Sequence, residues 1–196
     1  MFPLRKPGWS GHAARAILGG ALLAASAVST RGADFVPPAP VEVAPMQVPA
    51  GTPIRTLEDL AGLSAAQLDG LYRQGTAGAA PTGRVRGLAL YPDARFARAK
   101  SKAARVAWQG KVFDPSSGTA TNRFFGLPVI TGNVYAGQSW LDGGPALILD
   151  YQGTSKVYGN YRDEIRQVAP GLFLGLMHDR TVSPPAFKMY FAFTDR

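Results

Sequence analysis

From residue 84 onward, apolar and polar positions alternate in short runs broken by turn residues, a period of two that predicts β-strands. Candidate strands cover 84–90, 127–134, 139–141, 146–151, 161–168, 172–178 and 187–194, punctuated by Gly132-Asn133, Asp142-Gly143-Gly144, Gly153, Pro170-Gly171 and Pro184-Pro185. Short turns between so many strands predict an antiparallel sheet that closes or folds over itself. In the last strand Phe187, Met189, Phe191 and Phe193 share one face and Lys188, Tyr190, Ala192 and Thr194 the other; before it, Leu172, Leu174, Leu176 and His178 lie opposite Phe173, Gly175 and Met177. Strands apolar on nearly two faces suit a small antiparallel β-barrel, with one side lining a cavity and the other meeting a helix or neighbour. Its cavity would be lined by side chains such as Leu172 and Leu174, or Phe191 and Phe193.

Two other segments carry helical spacing. Thr56 can cap 57–60 and Ser64 a second stretch running to Arg73, with Leu60, Leu63, Leu68, Leu71 and Tyr72 near helical spacing and Gly75 as the stop. Residues 94–108 (ARFARAKSKAARVAW) form a cationic amphipathic pattern, with Phe96, Ala99, Ala103, Val106 and Ala107 on one side and Arg95, Arg98, Lys102 and Arg105 on the other. This segment is expected to be a solvated basic face over an apolar contact, a lid, or an element touching an anionic membrane surface through those four bases.

The first 55 residues follow neither period. Arg5, Lys6 and Arg15 precede an uncharged run from 16 to 30, rich in Ala and Leu and short for a membrane span, with Ala25-x-Ala27 as a cleavage site. Residues 1–33 are therefore expected to be a signal peptide or signal anchor, implying a secreted or periplasmic protein. The stretch 34–55 is a Pro-rich linker, with prolines at 37, 38, 40, 45, 49 and 53 excluding helix and central strand, and 56–196 is a single barrel domain.

Composition narrows the chemistry. The 196 residues contain no Cys and only His12 and His178, which excludes disulfides, thiolate catalysis, cysteine zinc sites and histidine-rich metal sites; no metal or cofactor is expected. The net charge of +8 is concentrated, since residues 84–111 hold eight bases against Asp93 alone. Basic and aromatic residues do not interleave on a strand there, so nucleic acid is not an expected partner.

Inside the strand 161–168, Arg162, Glu164 and Arg166 share one face with Asp163 opposite, an ion-pair ladder or an anchor for the head group of an anionic ligand. Asp142 belongs to a turn signature, whereas Asp150 and Tyr151 end an apolar strand that would partly bury the carboxylate. His178 and Asp179 diverge as strand neighbours, Ser139 has no base beside it in sequence, and no G-x-S-x-G elbow is present. The candidate ligand-binding residues are Arg162, Arg166, Glu164, Tyr151, Asp150, Trp140 and His178. A competing enzyme reading uses Asp150, Glu164 or His178 as acid or base, and a third makes the domain a structural element docked on the envelope by its basic helix.

The motifs 108–114 (WQGKVFD), 122–126 (NRFFG), 139–143 (SWLDG) with 149–151 (LDY), and Arg162-Asp163-Glu164 through 171–175 (GLFLG) together resemble a family of exported bacterial proteins of unknown function. Its architecture is similar to the ligand-holding barrels of the lipocalin and fatty-acid-binding kind, and the resemblance spans about 56–194. It implies a lipocalin-like fold and no particular activity. The resulting expectation is an exported, monomeric, non-enzymatic barrel that holds a small apolar or amphipathic, lipid-like ligand, with Arg162, Arg166 or Tyr151 meeting its polar end.

Overall fold

The computed structural model describes residues 54–195. The expected targeting segment and nearly all of the Pro-rich linker lie outside them. The chain first forms helices α1 (Leu57–Leu60) and α2 (Ala65–Gln74), each opened by a capping box. Thr56 and Ser64 accept from the N–H groups of Asp59 and Gln67, whose side chains accept in return from the cap's own N–H. Gly75 ends α2, as its sequence predicts.

Eight strands follow: β1 (Gly83–Leu90), β2 (Trp108–Asp114), β3 (Thr119–Phe124), β4 (Leu127–Gln138), β5 (Pro145–Asp150), β6 (Tyr161–Ala169), β7 (Leu172–Asp179) and β8 (Ala186–Thr194). They form a closed antiparallel barrel in chain order, with β8 pairing back onto β1 from Arg86↔Thr194 to Leu90↔Tyr190. Helix α3 (Ala97–Ala104) occupies the β1–β2 connection and packs on β1. Among the described residues no helix is long and apolar enough to cross a membrane.

The pattern of residues differs from expectation in three places. Strands β2 and β3 are additional, and their apolar alternation is interrupted because Lys111 and Asn122 face inward beside Phe113 and Ala120. Residues 139–141 are not a strand but the start of the β4–β5 turn, where the Ser139 N–H donates to Gly144 O and Gly143 N–H to Ser139 O. The basic helix is shorter than 94–108, since the carbonyl of Ala107 accepts from Phe125 N–H and Trp108 already belongs to β2. Its orientation differs too: Ala97, Ser101 and Ala104 form its inner side, and Phe96, Ala99, Ala103 and Val106 are exposed. Three small side chains seat the helix closely on β1, which turns the larger apolar residues to the outside.

Closure resolves the two-faced strands. Phe113, Ile165, Phe173, Phe191 and Phe193 fill the inside. Gly175 is required there, because any Cβ would enter the space of the Phe191 ring. Leu88, Leu90, Leu172, Leu174, Leu176 and Tyr190 form the outer wall, buried beneath Leu57, Leu60, Leu68 and Tyr72 of the two N-terminal helices. Of the two cavity linings considered from sequence, the phenylalanines face in and the leucines face out.

Candidate functional site

Strand β6 carries charge on both faces, and the barrel separates them into two networks. On the inside, Lys111 of β2, Asn122 of β3, Tyr151 just beyond β5 and Asp163 of β6 converge. The Lys111 Nζ donates to Asp163 Oδ2 at 2.9 Å, Asn122 Oδ1 at 2.8 Å and the Tyr151 hydroxyl at 3.0 Å, which uses all three of its protons. The Tyr151 hydroxyl donates to Asp163 Oδ2 at 2.7 Å and accepts from Asn122 Nδ2 at 2.7 Å, while Trp108 Nε1 donates to Asn122 Oδ1 at 3.0 Å. All four residues of this quartet are buried. Burial pushes the Lys111 ammonium below its ordinary pKa while Asp163 pulls it back, and the Tyr151 phenol rises well above 10 through desolvation and then the Asp163 charge.

Aromatic rings surround this charge. Lys111 Nζ lies 4.9 Å from the Phe191 ring centre and 5.5 Å from that of Trp108, within cation–π range. Toward the barrel end where β2 starts, Tyr158 packs on Tyr151, Tyr161 and Phe124 at ring separations of 5.5, 5.5 and 6.2 Å. Trp108, Phe124, Tyr158, Tyr161 and Met177 are half-buried, and form a collar above the fully buried quartet. Desolvation, helped by Asp163, pushes the Tyr158 phenol up to about 12, so it is a neutral donor at physiological pH.

The outer network is built on the opposite face of β6. Glu164, fully buried, accepts from Ser139 Oγ at 2.5 Å and from Trp140 N–H at 2.8 Å, and is paired with Arg162. Arg162 also donates to Gln138 O at 2.7 Å and stacks over the Trp140 ring, 4.1 Å from its centre. His178 Nδ1 lies 3.7 Å from Glu164 Oε1 without a hydrogen-bond partner, its ring against Trp140 and Phe187. Desolvation lowers the His178 pKa below 6.5 against the pull of Glu164. Arg166 grips Asp142 with two bonds of 2.8 and 2.7 Å and donates to Pro145 O and Tyr72 O, tying the β4–β5 turn and α2 to the wall.

The seven candidate residues therefore divide. Tyr151 alone faces the interior. Arg162, Glu164, Trp140 and His178 form one cluster on the outer wall, Arg166 joins the adjoining turn, and Asp150 lies apart, held by Arg180 at 2.5 Å and Tyr135 at 3.0 Å. Lys111, Asn122, Trp108 and Asp163 were not among them. Their signal in the sequence is a lysine and an asparagine at apolar-phase positions of 108–114 and 119–124, either side of a Pro-Ser-Ser-Gly turn. Among the described residues no group of three or more His, Asp or Glu is placed to hold a metal ion.

Neither protein-family models nor curated proteins match the chain. Among solved structures, a protein from Thermomonospora curvata is similar at 17% identity and a TM-score of 0.44, over 69% of this chain and 89% of that one.

Proposed function

We propose that the protein is an exported, non-enzymatic barrel that binds a small apolar or amphipathic molecule at its collar end, in the manner of the lipocalin-like barrels its sequence resembles. The carrying observation is the half-buried ring of Trp108, Phe124, Tyr158 and Tyr161 above a fully buried Lys111–Asp163–Tyr151–Asn122 floor. Aromatic faces with a few convergent polar groups are what a ligand with a flat or chain-like body and one polar end requires. The head-group role passes to Lys111 and Tyr151, because they lie beneath the aromatic ring whereas Arg162 and Arg166 lie on the outer wall. Binding at the floor exchanges one of the quartet's internal bonds for one to the ligand.

The test is titration with a fluorescent fatty acid. The parent protein is expected to take it up saturably, and Tyr158→Ala to weaken uptake roughly tenfold, the scale of one aromatic contact, with a lower melting temperature from the lost ring contacts but a folded circular-dichroism spectrum at the assay temperature. No saturable uptake by the parent ends the lipid-carrier reading, and an unaltered affinity in Tyr158→Ala removes the collar from it.

A further inference from the structure

Antiparallel order places the β1–β2, β3–β4, β5–β6 and β7–β8 connections at one end of the barrel. They touch in sequence around it: Phe125 N–H donates to Ala107 O, Phe124 packs on Tyr158, and Arg180 N–H donates to Asn160 O. This rim carries most of the large apolar side chains that the described residues expose. Phe96 and Val106 on the helical connection are 68% and 70% exposed, and Phe125 and Leu127 at the β3–β4 tip 55% and 63%. Val157 and Val182 stand out from the remaining two connections.

Two features separate this rim from incidental surface. Helix α3 is seated by Ala97, Ser101 and Ala104, so the apolar side of an amphipathic helix points to solvent. At the β3–β4 tip, Phe125 and Gly126 form a two-residue turn with φ of 50° and 86°. The first position of such a turn favours Asn, Asp or Gly, and a phenylalanine there is strained backbone displaying a large apolar group to water.

The surrounding charge is mostly positive. The connections 91–107, 125–126, 151–160 and 180–185 hold seven Lys and Arg against Asp93, and the strand residues flanking them add Arg123 and Lys188 but also Asp150 and Asp179. Arg105, Arg180 and Lys188 are paired with Glu58, Asp150 and Asp179, while Lys100 and Lys156 are exposed. Separate apolar tips projecting among bases match a lipid surface, with the tips entering the acyl boundary and the bases meeting anionic headgroups.

We propose that this rim docks on an anionic lipid bilayer, with Phe125 and Leu127 inserted and the basic side chains at headgroup level. The proposal stands on the rim alone, whether or not the barrel takes up a ligand. Two exposed positions of the full chain, Phe125→Trp at the tip and Ser117→Trp in the turn at the opposite end, serve as reporters with vesicles of phosphatidylglycerol and brominated phosphatidylcholine. The Phe125→Trp fluorescence is expected to shift to the blue and be quenched by the brominated chains, and Ser117→Trp to add no quenched component over the parent. Adding Lys100→Glu and Lys156→Glu to Phe125→Trp is expected to weaken that signal at least about tenfold. A tryptophan at 125 that stays unquenched, or quenching equal at both ends, overturns the proposal. So does a blue shift that grows with protein concentration without lipid, which would make the rim a contact between copies.

Discussion

The two faces of β6 bury charge in different ways. On the outer face, beside the Glu164–Arg162 pair and the Arg166 bond to Pro145 O at the start of β5, Glu164 and Arg166 bond to pieces of chain that the sheet does not itself hold: Trp140 N–H, Ser139, Asp142 and Tyr72 O. Those bonds fasten a turn and a helix to the barrel. On the inner face, Lys111, Asn122 and Asp163 come from strands that the ladders already fix, and with Tyr151 they bond to one another, joined by Trp108. A buried ion pair that assembles nothing else recovers its desolvation cost poorly, and apolar residues of similar volume would serve the fold as well. The outer network is thus explained by architecture, whereas the inner one fits the ligand role proposed above.

The largest expected effect tests this contrast directly. Asp163→Ala leaves the Lys111 ammonium without its counter-charge among aromatic rings, a loss of about 3–5 kcal/mol. The double substitution Lys111→Met with Asp163→Leu removes both charges and should recover most of that loss. Urea denaturation of the three proteins measures it; a double variant no better than Asp163→Ala would mean that the quartet holds the barrel together, and the contrast with the outer face would fail.

Glu164→Gln should cost less, about 1–3 kcal/mol, because the one amide oxygen can take the place of Oε2 and accept from both Ser139 and Trp140, while Arg162 loses its counter-charge but retains Gln138 O and the Trp140 ring. Proteolysis of the β4–β5 turn should rise in parallel, since that turn hangs on the carboxylate. Loss of stability with the turn still protected would show that the outer network fastens less than its bonds suggest.

A smaller effect is expected from acid. His178 has a folded-state pKa below 6.5, so the unfolded chain binds its proton first as pH falls. Its contribution is nil above pH 6.5, and stability declines as pH drops from there toward the folded value. Asp142, held below 3.8 chiefly by its hydrogen bonds from Arg166, adds its loss only below about that pH. Melting curves of the parent between pH 7 and 5 should therefore slope downward, and His178→Phe, which fills the same aromatic niche beside Trp140 and Phe187, should flatten that slope. An equal slope in both proteins would place the acid-sensitive group elsewhere.

Much of the architecture is legible along the chain because its causes are local. Thr56, Ser64 and Gly75 mark helix ends through bonds made within one turn. The split of Arg162, Glu164 and Arg166 from Asp163 follows from the period of two. The quartet is less legible: at Lys111 and Asn122 the inward positions are polar, so the alternation that announces a strand fails where the candidate site lies. The wheel of 94–108 likewise sorts its side chains correctly, but the helix is seated on its smallest residues rather than its most apolar ones.

By itself the sequence determined the mainly β class, the helix caps, most of the strand positions and which residues share a face. Only the tertiary structure decided which face is inside. A strand apolar on both sides has two nearly equal burial options, and the choice is made by long-range pairing of β8 with β1 and by two helices covering one wall. That choice put Phe173, Phe191 and Phe193 within, left Leu172, Leu174 and Leu176 to the helices, and turned Asp163 rather than its flanking arginines toward Lys111. Its physical reason lies in partners 52 to more than 100 residues away, at separations no local pattern encodes.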